Sequence, residues 1–386
     1  MADLGGTYTS RFARLAEEFA GRLDSNDELG ASIAVVHEGE LVVDIWGGWM
    51  DEARTTPWAE DTITCVWSST KTVMALAALM LVDRGLLDVR EKVATYWPEF
   101  AAAGKQDIEV RHLLAHTSGL PAWDQPVTLD DLYDWDRSTA RLAAQAPWWE
   151  PGTASGYHAL SQGHLVGEVL RRITGRSLKE FVAHDIASVL DADFSIGVPR
   201  ADYGRVADIV PPPPRPVVLT GLDPAGVTFR ALTSPAPDAA ASRTDGWRAA
   251  DIGSGNGHTN ARALALIQSA VSHGGVARGH RLLSPETIEL IFDEQANGID
   301  LVLGAPRRFG VGFGLTMPEV LPYLPESKLC FWGGWGGSIV VNDLDRNLTI
   351  AYVMNRMDNA NTPGVIGTRQ SIAYVTSAFD CVRRGR

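Results

Sequence analysis

The chain has 386 residues, 45% of them hydrophobic and 21% charged, and a formal net charge of −13. This length allows a large core in one compound domain or in two interleaved domains, and the composition argues against disorder. The negative charge disfavours nucleic acid and anionic membranes as partners, because both are bound through basic patches.

The N-terminus carries no basic segment followed by an apolar run, and no uninterrupted apolar span reaches about 18 residues. A soluble, cytoplasmic protein is therefore expected. The cysteines Cys65, Cys330 and Cys381 are widely separated and lack the spacing of metal ligands. We expect them to be free, buried thiols.

Apolar residues recur at helical spacing over residues 12–23, which predicts an amphipathic helix that packs on another element. Two β-type runs follow, Ala31–His37 and Leu41–Trp46, and the glycine between them, Gly39, predicts a hairpin. Thr62–Val66 predicts a short third strand.

This third strand leads into the stretch from Cys65 to Lys71, which reads Cys-Val-Trp-Ser-Ser-Thr-Lys and opens a long apolar helix. On a helix, residues three apart share a face, so the Lys71 amine can lie beside the Ser68 hydroxyl. A buried lysine has a lowered pKa and can accept the serine proton, and the N–H groups at the helix start suit an oxyanion. The common alternative is an N-cap serine with a solvated lysine, but the apolar flanks favour catalysis.

From residue 86 to residue 299 the pattern is mainly helical. A loop over residues 205–245 interrupts it, and Pro211–Pro214 and Pro216 predict a stiff, extended segment within that loop. The predicted helices are His112–Ala115, Leu129–Leu142, Gly163–Ile173, Leu178–Leu190, Thr259–Ser272 and Pro285–Phe292.

After residue 300 the pattern returns to strands and closes with a helical face that includes Val375 and Phe379. The predicted strands are Phe309–Leu315, Leu329–Trp332, Ser338–Asp343 and Leu348–Met354. Strands at both ends predict an α+β fold in which residues 1–85 and 300–386 share an antiparallel sheet flanked by terminal helices. Residues 86–299 then form a mainly helical lobe, with a cleft between the two units.

Three further motifs have both a structural and a functional interpretation. Tyr157 follows a turn and precedes a helix, so it is either a packed aromatic or a phenol that relays a proton with the lysine. The glycines between Trp332 and Ser338 mark either a tight turn or a backbone that approaches a ligand. His116 invites a Ser-His interpretation, but no G-x-S-x-G elbow occurs, so a structural role is favoured.

Taken together, these residues resemble the serine β-lactamase and penicillin-binding-protein superfamily, in its class C-like branch. Ser68-x-x-Lys71 resembles that family's nucleophile and base. Leu113–Pro121, which reads LLAHTSGLP, resembles a structural signature of the branch. The segment Glu150–Thr153, followed by Tyr157, resembles the segment that supplies the catalytic tyrosine. The resemblance therefore implies a β-lactamase-like fold.

Two positions differ from the β-lactamases of this branch. Ala159 stands where they have an asparagine, and we match their Lys-Thr-Gly triplet to Trp335, Gly336 and Gly337. Tryptophan in place of that lysine removes the anchor for a lactam carboxylate. A W-G-G triplet beside S-x-x-K is similar to the family VIII carboxylesterases, which implies an esterase acting on neutral, hydrophobic or short-chain acyl esters.

The implied mechanism forms an acyl-enzyme on Ser68, with Lys71 and Tyr157 transferring protons and no metal or organic cofactor. The backbone N–H groups of Ser68 and Ser338 are expected to hold the oxyanion.

Among the twelve tryptophans, Trp123 and Trp149 are expected to line an aromatic cleft with Trp335. The expected partner is a small-molecule ester, and the sequence does not indicate the oligomeric state. Three alternatives stay open: an amide or β-lactam hydrolase of the same superfamily, an acyltransferase, and a non-catalytic binding protein that keeps the fold.

Overall fold

A computed structural model describes residues 3–124, 126–212, 222–359 and 366–383. Its strands alternate with helices and with short 3₁₀ and π turns. In chain order the strands are β1 (Gly5–Tyr8), β2 (Gly30–His37), β3 (Glu40–Gly48), β4 (Thr64–Cys65), β5 (Phe194–Ile196), β6 (Gly257–Thr259), β7 (Val276–Ala277), β8 (His280–Arg281), β9 (Ala296–Ile299), β10 (Pro306–Phe309), β11 (Gly314–Leu315), β12 (Leu329–Gly333), β13 (Ile339–Asp343) and β14 (Leu348–Met354). The helices are α1 (Ala13–Asp24), α2 (Thr70–Asp83), α3 (Val93–Tyr96), α4 (Val110–Leu114), α5 (Leu129–Tyr133), α6 (Trp135–Ala144), α7 (Ser161–Thr174), α8 (Leu178–Phe181), α9 (Val227–Thr233), α10 (Asp245–Ala249), α11 (Ala261–Ser272), α12 (Pro285–Glu289) and α13 (Arg369–Arg383).

One large antiparallel sheet joins the two ends of the chain. Its order is β1-β3-β2-β14-β13-β12-β11-β10-β9. The central pair is β2 and β14, in which Ala351 lies opposite Ala34. Both strands are buried along their whole length, because helices cover both faces of the sheet. The predicted α+β fold, with an antiparallel sheet built from N- and C-terminal segments, is confirmed.

The two faces of the sheet carry different helices. On one face Ile33 and Ile350 join a core with the terminal helices α1 and α13, where the rings of Phe19 and Tyr374 meet edge to face at 5.8 Å. On the other face Ala34 joins a core with α2 and α11. This alternation follows from the two-residue period of strand side chains.

Two segments that we expected in the helical lobe are associated with the large sheet instead. Helix α11 packs on β2, β13 and β14, and strand β9 is an edge strand of the sheet although it ends before residue 300. Helix α2 is buried from Thr70 to Leu81 and lies between the sheet and the helical lobe. The strand expected over Thr62–Val66 is shorter, and β4 pairs with β6 in a separate three-stranded sheet.

Two predicted elements are each divided. The helix expected over residues 129–142 is two helices, because the Asp134 side chain accepts a hydrogen bond from the Arg137 N–H and caps the second one. The strand expected over residues 309–315 is interrupted by a turn between β10 and β11. Gly312 adopts φ 81° in this turn, a conformation that favours glycine.

The predicted Pro-rich segment lies partly outside the described residues, which include Pro211 and Pro212 but not residues 213–221. The later part of that region is not an irregular loop, because it folds into α9 and a 3₁₀ turn at Ala239–Arg243. In the ranges that the structure describes, no helix is long and apolar enough to cross a membrane.

Candidate active site

A cavity of about 530 Å³ opens beside the end of strand β12. Ser68 and Tyr157 lie in its wall. Aromatic side chains, including Phe309, Trp332 and Trp335, form much of the remaining lining. The cavity therefore combines a few polar groups with an apolar surface, which is the usual character of a small-molecule site.

Ser68 is placed at this cavity by the turn between β4 and α2. A 3₁₀ turn over Trp67–Ser69 precedes the helix, and Trp67 adopts φ 48°, which costs on the order of 1–2 kcal/mol for a non-glycine residue. Packing of the Trp67 ring against Trp335 and Trp247, at centroid distances of 5.2 and 5.3 Å, holds the turn in this conformation. Ser68 thus stands half-buried at the start of a buried helix.

Lys71 is fully buried behind Ser68. Its Nζ donates to the carbonyl oxygens of Ala159 at 2.7 Å and Ser254 at 2.8 Å, and it lies 3.4 Å from Ser68 Oγ. Burial holds the pKa of the Lys71 amine well below its usual value. A neutral amine has two hydrogens and one lone pair. Since the two carbonyls take the hydrogens, the lone pair is left for the Ser68 hydroxyl.

Tyr157 approaches Ser68 from the other side. Its hydroxyl donates to Ser68 Oγ at 2.7 Å. Burial raises the pKa of Tyr157 to about 12, while hydrogen bonds with Ser68 and Trp332 oppose this increase. The phenol is therefore protonated at neutral pH and can give its proton to a leaving group. Ser68, Lys71 and Tyr157, all three predicted from the sequence, form one hydrogen-bonded chain.

Asp300 fixes the segment that carries Tyr157, and the sequence analysis missed it. Its Oδ1 accepts hydrogen bonds from the backbone N–H groups of Tyr157, Val302 and Leu303, and its Oδ2 accepts one from the Ser155 hydroxyl. The side chain is fully buried. A lone aspartate in a loop gives no sequence signal of this role, because its partners are mostly backbone groups more than 140 residues away or beside it.

Both W-G-G triplets line the cavity, Trp332-Gly333-Gly334 and the predicted match to the lactamase triplet, Trp335-Gly336-Gly337. The Trp332 ring stacks on Tyr157 with a centroid distance of 6.2 Å, so we expect the first triplet to stand where the lactamases have theirs. The later triplet lies in the β12–β13 hairpin loop. The motif occurs twice within six residues, so its sequence could not decide between the two copies.

Gly334 brings strand β12 against the Ser68 turn. A Cβ at Gly334 would lie 2.2 Å from the Val66 carbonyl oxygen and 2.2 Å from Ser338 Oγ. The Ser338 hydroxyl donates to that same carbonyl at 2.8 Å and lies 2.9 Å from Ser69 Oγ. Only glycine allows this approach, because any side chain would collide with the backbone that holds the nucleophile.

The oxyanion donor expected at Ser338 stays a prediction. The Gly334 N–H donates to the Ser338 carbonyl at 2.7 Å across the hairpin, so this carbonyl faces strand β12. Trp335 directly follows Gly334 in the hairpin turn, and it lines the cavity together with Ser68. We expect Ser68 and Trp335 to supply the two donors.

Of the other predicted substrate contacts, four residues line the cavity and one does not. Trp123, Trp335, Gly336 and Gly337 line the cavity. Trp149 does not belong to the described lining, because its indole N–H donates to the Ala154 carbonyl at 2.9 Å and its ring packs over Gly156. Its role is to shape the loop before Tyr157.

His116 lies beside the site without touching Ser68. Its Nδ1 accepts the His158 N–H at 3.0 Å, and its ring packs against Tyr157 and Phe309, each at 5.0 Å. Burial holds the pKa of His116 well below its usual value. The histidine therefore supports the wall as a neutral, packed ring.

The three cysteines are free and buried, as predicted. Burial raises the pKa of Cys65 to about 12, so this thiol is not an activated nucleophile. Within the described ranges, no group of three histidine, cysteine, aspartate or glutamate side chains could hold a metal ion.

Comparison with known proteins identifies the family to which this chain belongs. The protein-family description "Beta-lactamase" matches residues 14–371. The chain is 33% identical over 365 residues to the esterase/beta-lactamase LipL of Mycobacterium tuberculosis, covering 91% of this chain and 83% of LipL.

Two solved structures are similar over nearly the whole chain. A family VIII carboxylesterase shares 37% identity with a TM-score of 0.91, covering 98% of this chain and 100% of that one. A penicillin-binding-protein homologue from Caulobacter crescentus shares 36% identity with a TM-score of 0.89 and the same two coverages, 98% and 100%.

Proposed function

Because this chain belongs to the β-lactamase family, we propose that it is a serine carboxylesterase that cleaves short-chain or hydrophobic acyl esters through an acyl-enzyme on Ser68. The similar proteins named as esterases, LipL and the family VIII carboxylesterase, support this proposal. A cytoplasmic location stays a prediction of the sequence.

In the proposed acylation step, Ser68 Oγ attacks the ester carbonyl carbon and its proton passes to the neutral Lys71 amine. The carbonyl oxygen becomes an oxyanion that accepts hydrogen bonds from the backbone N–H groups of Ser68 and Trp335. As the C–O bond breaks, the Tyr157 hydroxyl gives its proton to the leaving alcohol. The Lys71 ammonium then returns a proton to Tyr157.

Deacylation repeats these proton transfers with water, in place of Ser68, as the nucleophile. Water enters where the alcohol departed and gives a proton to the Tyr157–Lys71 pair while its oxygen attacks the acyl carbon. The second oxyanion uses the same two N–H donors, and Ser68 leaves with its proton restored. If an alcohol enters instead of water, the product is a new ester, so acyl transfer is a partial reaction of the same site.

The observation that carries the proposal is the group beside Tyr157. The Trp332 ring stacks on Tyr157 at a centroid distance of 6.2 Å, and no lysine belongs to the cavity lining among the described residues. An indole offers one neutral donor and an apolar face, so nothing beside the phenol pairs with the carboxylate of a β-lactam. A neutral ester needs no such pair.

The test is a panel of p-nitrophenyl esters of increasing acyl length, run beside nitrocefin and an anilide substrate. We expect the esters to be turned over best, and Ser68→Ala to lose several orders of magnitude in kcat. A fluorophosphonate should add one label, which peptide mapping should locate on Ser68. A label on another serine, or nitrocefin turnover equal to ester turnover, would contradict the proposal.

A further inference from the structure

We infer that Arg307 forms an anion subsite in the cavity wall, and that the esters this site prefers carry a carboxylate on their alcohol portion. This inference rests on the proposed esterase function and deepens it by naming a substrate class. It also identifies Arg307 as a specificity-determining residue.

Arg307 reaches the cavity from strand β10. It lines the cavity and lies two residues from Phe309, so both side chains project from the same face of the strand. The Phe309 ring stacks on Trp332 at 5.7 Å, next to Tyr157. Directly opposite Arg307 on β9 is Gly298, and no atom outside its immediate neighbours lies within 4 Å of where its Cβ would stand. The neighbouring strand therefore leaves the guanidinium uncovered.

The Arg307 guanidinium has no acidic partner among the described residues. The guanidinium contacts the Pro306 carbonyl, which accepts a hydrogen bond from Nη1 at 2.7 Å. Asp300 is the nearby carboxylate, but its oxygens already accept four hydrogen bonds from its own loop and the Tyr157 segment. By contrast, Arg308 pairs with Glu294 at 2.5 Å. Arg307 thus keeps most of its five N–H donors available to a ligand.

Its surroundings make this charge effective. Arg307 is partly buried, and burial lowers the pKa of its guanidinium while Asp300 and Tyr157 act in the opposite direction. An arginine stays charged under these conditions. Asp358 is the acidic residue of the described cavity lining, and it lies 3.7 Å from Arg369. A half-buried cation in an apolar wall without a pairing carboxylate attracts an anion more strongly than a solvated one, because water screens it less.

The position of Arg307 relative to Tyr157 says which part of the ester carries the anion. Tyr157 protonates the departing alcohol in the proposed mechanism. Arg307 shares a strand face with Phe309, whose ring stacks on Trp332, and Trp332 in turn stacks on Tyr157. The Arg307 side of the cavity is therefore the alcohol side. A guanidinium binds a planar carboxylate through two parallel hydrogen bonds, so a carboxylate is the anion that fits best.

The experiment compares 4-acetoxybenzoate with methyl 4-acetoxybenzoate in the full-length enzyme. The two esters share the acetyl group and differ in the charge on the alcohol portion. Because the phenols also differ as leaving groups, each variant is compared with the unmodified enzyme on the same ester. We expect Arg307→Gln to lower kcat/KM for the anionic ester about tenfold, mainly through KM, and to change the methyl ester less than about twofold.

Two control variants make the result specific. Arg307→Lys keeps the charge without the planar fork and should restore part of the loss. Arg308→Gln removes the neighbouring guanidinium, which pairs with Glu294, and should change the ratio of the two esters less than twofold. About 0.5 M NaCl should raise KM for the anionic ester alone, which tests the ion pair without a substitution.

A binding measurement separates the subsite from turnover. In Ser68→Ala, 4-hydroxybenzoate should bind more tightly than its methyl ester, and adding Arg307→Gln should weaken only the acid, about tenfold. Equal losses for both esters in Arg307→Gln, or no loss and no salt effect, would overturn the inference while leaving the esterase intact. If the unmodified enzyme cleaves neither ester nor any p-nitrophenyl ester, it is the proposed function that fails.

Discussion

Replacing Trp332 with lysine should convert the apolar end of the catalytic chain into a carboxylate anchor. The new ammonium would stand where the indole now stacks on Tyr157, beside the bond that is cleaved. A charge-assisted hydrogen bond to a carboxylate contributes about 1.5–3 kcal/mol, which is roughly a 10- to 150-fold gain for an anionic lactam. We expect p-nitrophenyl butyrate to exceed nitrocefin in kcat/KM by at least about 100-fold in the unmodified enzyme.

In Trp332→Lys this ratio should fall to about ten or below, because lactam binding improves and ester turnover weakens. Ester turnover weakens for two reasons. The ammonium repels a proton arriving at Lys71, and the loss of the ring opens the stack on which Tyr157 and Phe309 rest. Trp332→Phe keeps an aromatic ring without the N–H donor, so it reports how much of the ester loss comes from removing the indole N–H rather than the ring.

Trp335→Lys is the matched control, since it makes the same change in the second W-G-G triplet. Its side chain lines the cavity and packs on Trp67, away from the Tyr157 hydroxyl. It should change the ratio of ester to lactam turnover much less than Trp332→Lys does. The opposite order, a ratio narrowed by Trp335→Lys and unchanged by Trp332→Lys, would refute the assignment of the triplet from the hairpin geometry.

Three further predictions concern proton transfer and stability. Lys71→Ala and Tyr157→Phe should each lower kcat by about 10²–10⁴. The double variant should lower kcat little further, because the losses of coupled residues are not additive. Additive losses in steady-state assays would mean that the two residues have separate roles. Since burial lowers the pKa of Lys71 and raises that of Tyr157 to about 12, kcat/KM should rise with pH on one acidic limb and show no alkaline decline below about pH 10; an alkaline limb near pH 8 would contradict the protonated phenol. Burial raises the pKa of Glu28 from 4.5 to about 7, so the folded state binds the extra proton and the free energy of unfolding should fall by about 3 kcal/mol as the pH rises from about 4.5 to 7. In Glu28→Gln, denaturant titrations should show no such fall of the free energy of unfolding with pH. If the fall persists in this variant, other groups cause it.

Much of the fold and the core of the site follow from local sequence patterns. The hairpin around Gly39 follows from its turn glycine, the terminal helix through Phe379 from its apolar spacing, and the helix after Ser68 from an apolar run that is buried on all sides. Ser68 and Lys71 lie close together because helical spacing fixes them within one turn. Local patterns are a reliable guide here because each of these signals lies within a single element.

The features that local patterns could not supply depend on contacts between distant segments. Helix α11 has the same apolar spacing whether it packs on a sheet or on other helices, so its sequence could not assign it to the sheet. Asp300 and Gly334 act through backbone groups of remote loops, which no motif encodes. The choice between Trp332 and Trp335 needed the hairpin register, in which Gly333 lies opposite Ile339.

The pairing of β2 with β14 has a consequence for how the enzyme acquires activity during synthesis. The proposed nucleophile is Ser68, whereas strand β12, which leads into the proposed oxyanion donor, ends at Gly333 and is held in the sheet by β13 and β14. Contacts separated by more than 260 residues form late and slowly, because a long loop must close before they can stabilise anything. A ribosome-bound chain that lacks its last strands therefore carries the serine and its lysine without the wall that makes them a catalyst. We therefore expect such a chain to lack esterase activity until β14 has joined β2 in the middle of the sheet.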